Sequence, residues 1–252
     1  MADLWSAILP FVIVGFLAQL VDGALGMAFG LINSTLLVSL VGVSPAAASA
    51  SIHAVEAFTT AASGVSHIAH RNVDWRLLRR LVLPGIAGGV LGAGLIVSVD
   101  AAFARPAVML YLAATGLYLL ARAWRGPSAP RTPQVIAPLG LIGGFLDAAG
   151  GGGWGPIVTG NLLLQGADPR RTIGTVNTAE FFLTATISAT FLLSMGPAAF
   201  SLAAIGILIG GLAAAPLGGL LAKRVPARPL MALVGTLLTL TSGYSAWLAL
   251  AR

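Results

Sequence analysis

Residues 14–60 and 139–184 carry one polar pattern twice, at an offset of 124–125 positions, inside otherwise apolar sequence. Asp22-Gly23-Ala24-Leu25-Gly26 is echoed by Asp147-Ala148-Ala149-Gly150-Gly151, Gly30 by Gly155, and Pro45 by Pro169. His53-Ala54-Val55-Glu56 returns as Asn177-Thr178-Ala179-Glu180, followed by Phe58 and Thr60 against Phe182 and Thr184. Two halves with one pattern must solve one folding problem twice. What is preserved is four acids and clusters of glycine. Paired, glycine-interrupted apolar segments at matching positions point to a transporter's binding site.

The surroundings of the pattern fix its solvent. Of 252 residues 57% are hydrophobic and 9% charged, whereas a soluble domain carries about a quarter charged residues. The expected class is therefore an all-α polytopic membrane protein, multi-pass in a bilayer. Its 32 glycines and 14 prolines suit tightly packed, interrupted membrane helices. Cysteine is absent, which excludes disulfides and thiolate metal sites. The first segment has no basic region before it and no evident cleavage site, so it is read as retained.

With about 20 apolar residues per span, ten segments are expected: 4–21, 28–43, 45–67, 81–99, 103–121, 134–146, 157–165, 169–195, 200–222 and 228–250. Residues 1–124 and 134–252 are the two transmembrane repeats, and 125–133 is a basic linker. Segments 5 and 10 both open on Ala-Arg-Pro. If each segment crosses once, one side receives Arg71, Arg76, Arg79, Arg80, Arg122, Arg125, Arg131, Arg170, Arg171, Lys223, Arg224 and Arg228. The other receives Arg105 and Arg252. This asymmetry makes the first side cytoplasmic and both termini external, and it accounts for the formal charge of +6 without nucleic acid. Five segments per half is an odd number, so the halves are inverted-topology repeats. Segments 1–2 and 6–7 are either glycine-broken helices or re-entrant pairs; the charge count is the same for both.

Glu56 and Glu180 each lie 11 residues beyond the proline that opens their segment. At 1.5 Å per residue that is ~16 Å deep, where a charge costs ~2.5–3.5 kcal/mol on insertion scales. They are candidates for a proton or cation relay, with Asp22 and Asp147 beside them, or for hydrogen-bonding site residues; the alternative is a structural role, each acid bonded to an unwound neighbour and holding the glycine stretch in place. The alternative for the aspartates is capping of the half-helix after each break. His53 and Glu56 share a helix face with Thr60, as Asn177 and Glu180 do with Thr184. His53 is a candidate coupling or substrate group, or a neutral bridge between helices. A metal site of His53 with the carboxylates lacks diagnostic spacing, and no resident metal or cofactor is expected. A half-helix starting near Pro156 would aim its N–H groups at the break, an anion site without a base. Gly26, Gly30, Asn33, Gly151, Gly152, Gly153, Trp154, Gly155, Asn161 and Asn177 are the remaining candidate substrate contacts.

At Gly143-Gly144-Phe145-Leu146-Asp147 through Gly150-Gly151-Gly152-Gly153-Trp154-Gly155-Pro156, and at the degenerate copy Gly15-Phe16-Leu17 through Asp22 to Gly30, the chain resembles the sulfite exporter TauE/SafE family of small bacterial membrane transporters. The first copy lacks consecutive glycines and has Leu31 where the second has Pro156. The resemblance covers essentially the whole chain. It implies a secondary carrier of a small sulfur-containing anion (sulfite, an organosulfonate or similar), moved outward across the bacterial inner membrane. The residues themselves suggest alternating access about the two glycine breaks, with carboxylates that either stay protonated beside the anion or carry a coupled proton or sodium ion. The runner-up from the residues themselves is a cation or metal-ion transporter using the four acids and His53. An enzyme is not expected: there is no nucleophile–base set and no phosphate loop. Segment faces rich in small residues allow a homodimer.

Overall fold

A computed structural model describes residues 2–125, 131–217 and 227–250. All regular elements among these are helical. They are α1 (Ala2–Leu25), α2 (Phe29–Ser34), α3 (Pro45–Ala69), α4 (Trp75–Ser98), α5 (Ala101–Trp124), α6 (Ala137–Gly150), α7 (Gly160–Leu164), α8 (Pro169–Met195), α9 (Ala203–Ala214) and α10 (Ala227–Leu250). Wide π-helical turns, Thr35–Val41 and Gly155–Thr159, extend α2 and lead into α7. Five helices, within α1, α4, α5, α8 and α10, are long and apolar enough to cross a membrane. The 25-residue α3 is long enough but carries Ser49, Ser51, His53, Glu56, Thr59, Thr60 and Ser63 along its buried face.

Several segment boundaries differ from the sequence expectation: α5 is longer than 103–121 at both ends, and α6 spans Ala137–Gly150 rather than 134–146, running past Asp147 to the left-handed Gly151. Two others show a local reason as well. The first helix does not stop at Asp22 but runs to Leu25, because nothing before Gly26 enforces a break; Gly26 does, with a left-handed φ of 65°. Likewise, Arg76, Arg79 and Arg80 are not in a loop. Asp74 accepts the N–H groups of Arg76 and Leu77 and starts α4 at Trp75, an N-cap strong enough to hold arginines in a first turn. Lys223, Arg224, Arg252, the stretch 126–130 of the linker and the end of segment 9 lie outside the described residues.

Glycine sets which helices touch. On α9, a Cβ at Gly206 or Gly210 would meet the carbonyl oxygens of Ile8 and Val12, so α1 and α9 run parallel in backbone contact. On α4, a Cβ at Gly88 or Gly92 would meet the carbonyls of Leu141 and Phe145, and α4 and α6 are parallel in the same way. Small residues that let backbones approach replace the hydrophobic drive that lipid does not provide. Gly64 packs on Thr178, and the His53 ring lies 6.3 Å from that of Phe191. So α3 and α8 are antiparallel. Gly116 meets Gly235 and Thr239, while Gly235 meets Leu120, so α5 and α10 are antiparallel too. Each pairing survives replacement of every element by its counterpart five places on.

The hydrogen bonds at the element ends sort the chain into two faces. At one, the Gln165 side chain accepts from the N–H groups of Gln134 and Val135 and donates to the Val135 carbonyl, and Arg131 N–H donates to Gly166. The α6–α7 unit therefore enters and leaves at a single end, beside the starts of α4 and α8, where Asp74 N–H donates to Thr175 and Arg170 to Asn72. At the opposite end, Ser201 N–H donates to Ser51 near the start of α3, which places the start of α9, and of the parallel α1, where α2 ends. Arg105 at the start of α5 donates to the carbonyls of Val38, Gly42 and Val43 there. The α1–α2 unit also returns to the end it came from.

Candidate functional site

Each return is made at a glycine break, and each break is organised by the aspartate before it. Asp147 accepts the N–H groups of Gly153 (2.7 Å) and Trp154 (3.0 Å), six and seven residues on. Asp22 accepts that of Phe29, also seven residues on, at 3.4 Å. Gly26 and Gly151, at φ 65° and 70°, turn the chain. A left-handed residue with a side chain would be strained in either place. Both aspartates thus hold N–H groups of the half-helix that follows, as the capping alternative expects. In consequence, three of the N–H groups expected to face an anion already hold a carboxylate.

The two breaks lie against each other and brace each other. A Cβ at Gly152 would stand 2.6 Å from the Leu31 nitrogen, and one at Gly155 would meet Met27. The Ser34 hydroxyl donates to the Gly151 carbonyl, and the Thr159 hydroxyl donates to that of Gly26 at 3.0 Å. Gly26 and Gly151 correspond in the repeat, as do Ser34 and Thr159, so the two bonds are one bond made twice. Two further hydroxyls reach the second break alone: Tyr111 donates to the Gly152 carbonyl (2.9 Å) and Ser49 to that of Ala148 (2.6 Å). Unwound backbone at membrane depth requires such partners.

The acids converge on this seam from α3 and α8. Glu56 and Glu180 each lie 11 residues after the first residue of their helices and are buried with Asp22 and Asp147, the four close enough to interact electrostatically. Glu56 Oε1 lies against Gly30. Thr60 and Thr184 donate to the backbone carbonyls of Glu56 and Glu180, not to their carboxylates. His53 uses both ring nitrogens: Nε2 meets Asp147 Oδ2 at 3.1 Å, and Nδ1 meets the Ser49 carbonyl at 2.7 Å. This is the one acid–base side-chain contact within 4.0 Å among the described residues, an ion pair when His53 is protonated. Ligand atoms of His53, Glu56 and Asp147 all lie within 4.8 Å of one another. The counterpart of His53, Asn177, stands close enough to the Asp22 carboxylate to interact with it, with both amide atoms buried and neither in a hydrogen bond of ordinary length and angle.

Of the candidates, the structure thus brings together Asp22, Gly26, Gly30, His53, Glu56, Asp147, Gly151, Gly152, Gly153, Gly155, Asn177 and Glu180. Asn33 is buried next to them, its amide N–H on the Phe29 carbonyl and its oxygen unpartnered. Trp154 offers the break only its backbone N–H. Its ring is fully buried against Gly85, with Nε1 on the Val176 carbonyl. Asn161 is half-buried and donates to the Ile157 carbonyl, without a hydrogen bond to the cluster among the described residues. Sequence reasoning missed Ser34, Ser49 and Tyr111. Ser34 was within reach, because it stands 125 positions before Thr159 and carries the same hydroxyl. Tyr111 has no matching signal.

Comparison with known proteins supplies the family. Residues 11–245 match the model of the sulfite exporter TauE/SafE family. The chain is 40% identical over 244 residues to the probable membrane transporter protein YtnM of Bacillus subtilis (strain 168), covering 93% of this chain and 81% of that one. No solved structure matches. Apolar helices around a buried seam of paired glycine breaks, together with these matches, place the chain in the sulfite exporter TauE/SafE family: it is a membrane transporter and not an enzyme.

Proposed function

We propose that the protein carries a small oxyanion of the sulfite or organosulfonate class outward across the bacterial inner membrane, by alternating access about the seam between the breaks. The halves act as inverted-topology repeats, 1–124 and 134–252, with α1–α2 and α6–α7 as re-entrant pairs. The antiparallel senses of α3 and α8 and of α5 and α10, and the same-end returns of both pairs, support this. The observation that carries the reading is the convergence of two breaks and four acids on one buried seam. Among the described residues the seam contains no lysine or arginine, so an anion there is held by backbone N–H groups, Asn177, His53 and protonated carboxyls. Transport of the anion therefore brings protons with it. Glu56 and Glu180 serve as proton carriers, and the anion competes with Asp147 for the N–H groups of Gly153 and Trp154. The expected orientation, both termini external, belongs to the same proposal, as does a homodimer.

The test is counterflow in proteoliposomes with sulfite, thiosulfate, small sulfonates and carboxylates. Sulfite or a sulfonate should exchange, and Glu56→Gln and Glu180→Gln should abolish proton-coupled flux while the proteins still fold. Wild-type flux and pH dependence in both variants would remove the relay role. A second reading rests on a specific observation: the clustered ligand atoms of His53, Glu56 and Asp147 suit a divalent cation as cargo. Saturable divalent-metal flux with no oxyanion exchange in the same vesicles would establish it instead.

A further inference from the structure

The arginines expected merely to orient the chain are not spread over its basic end. Four of them line one cavity of about 220 Å³, far above the ~10–15 Å³ that a single water needs. Arg76 and Arg80 come from the first two turns of α4, Arg131 from the connection into α6, and Arg171 from the start of α8. Three segments distant in sequence thus converge, held by the bonds of Gln165 to residues 134–135, of Arg131 N–H to Gly166, and of Asp74 N–H to Thr175. Two acids also line the cavity, leaving two positive charges in excess, and one oxygen of each acid is engaged with backbone. Asp74 Oδ1 holds the N–H groups of Arg76 and Leu77, and Asp168 Oδ1 holds that of Arg171.

The guanidinium groups are uncommitted. Among the described residues the arginine side chains that make hydrogen bonds are Arg79, Arg105 and Arg170, and no arginine has a carboxylate within 4.0 Å. Positive charge near a bilayer surface needs no cavity, and a loop that only orients a chain splays its arginines into water. Four exposed forks around one concavity, with one oxygen of each nearby carboxylate turned to backbone, instead match a tetrahedral oxyanion bound through several charge-assisted bonds. Basic pockets between helices at this level of a membrane protein bind anionic head groups.

We propose that this cavity is a phosphate-class oxyanion site at the basic end of the protein, separate from the buried seam. It is independent of what the seam carries. Its ligand chemistry is one phosphoryl or similar group, supplied either by an anionic lipid headgroup or by a free anion at the membrane surface.

The test is calorimetric titration of the purified full-length protein in neutral detergent with inorganic phosphate, with short-chain phosphatidylglycerol, and with short-chain phosphatidylcholine, at ionic strength matched with chloride. Saturable binding of one equivalent of phosphate or phosphatidylglycerol, and none of phosphatidylcholine, is expected. Arg76→Gln and Arg171→Gln should each weaken it about tenfold, the scale of one charge-assisted hydrogen bond. Arg79→Gln removes the same charge from the same helix turn but does not line the cavity, and should leave binding unchanged. Phosphatidylglycerol alone binding identifies a lipid site; phosphate binding as well identifies a free-anion site. No saturable binding to the wild type overturns the proposal, as does equal weakening by Arg79→Gln. Should Arg171→Gln fail to fold, Arg80→Gln, on an exposed turn of α4, takes its place.

Discussion

At the scale of single residues, the two halves are alike in what holds the breaks and unlike in what faces them. Asp147 caps its half-helix with two bonds and also meets His53, whereas Asp22 caps with one longer bond and faces an Asn177 that makes no hydrogen bond of ordinary length and angle. Removing the two aspartates should therefore have unequal effects. Asp22→Ala should cost about 1 kcal/mol, the worth of an N-cap. Asp147→Ala should cost about 3–5 kcal/mol, because it also strands a buried partner of an ion pair. Thermal unfolding of both variants in detergent measures the gap, and equal losses would contradict the asymmetry. The four acids stood out in the sequence because membrane burial makes each costly, and the turning glycines because they interrupt a helix; duplication marks both twice. The hydroxyls were not. Serine, threonine and tyrosine are cheap in a membrane helix, and the carbonyls that Ser34, Ser49 and Tyr111 reach lie 41 to 117 positions away. Even the contrast of His53 with Asn177 was only half visible: Ser49, which supplies the carbonyl for Nδ1 and a hydroxyl for the second break, has Ile173 as its counterpart.

At the scale of elements, hydrophobic length predicted where helices lie, and caps and glycines decided where they end. The start of α8 at Pro169 agrees with the sequence reading because proline at a first turn is an unambiguous signal. The start of α4 was misplaced by six residues, since arginines obscured the cap at Asp74. What the sequence did not reveal is which helices touch, because a glycine's partner is a backbone atom of another element. Those contacts make a sharp prediction. A methyl group at Gly88 or Gly210 would be about 2 Å from a facing carbonyl oxygen, at 2.0 and 1.9 Å respectively, whereas at Gly94 it meets nothing within 4 Å. Gly88→Ala and Gly210→Ala should each destabilise by about 1–3 kcal/mol through overpacking. Gly94→Ala, in the same helix as Gly88, should be neutral or slightly stabilising on helix propensity. The comparison is again by thermal unfolding, and indifference at Gly88 and Gly210 would mean that α4–α6 and α1–α9 are not in backbone contact.

At the scale of the whole molecule, the sequence halves are not the packing units. The first returning unit, α1–α2, lies along α9 of the second half, and α6–α7 lies along α4 of the first. The two breaks then meet at Gly30 and Gly152 in the seam between these exchanged units. The alternating access proposed above would separate α1–α2–α9 from α4–α6–α7 and break the bonds of Ser34 and Thr159 together. This arrangement also makes the topology testable without background labelling, since the chain has no cysteine. Trp5 and Val99 are exposed at one end and His70 and Thr132 at the other, while Ala28, in the first break, is buried. With a bulky membrane-impermeant maleimide in right-side-out and inverted vesicles, Trp5→Cys and Val99→Cys should label from one side only, and His70→Cys and Thr132→Cys from the other only. If α1 and α2 each crossed fully, the break would emerge in water at the His70 end and Ala28→Cys would label from that side. As a returning unit it keeps the break inside the protein, and Ala28→Cys should stay unlabelled from both. Labelling of Trp5→Cys and Thr132→Cys from one side would overturn the two-faced arrangement. Labelling of Ala28→Cys from the His70 side alone would overturn the return.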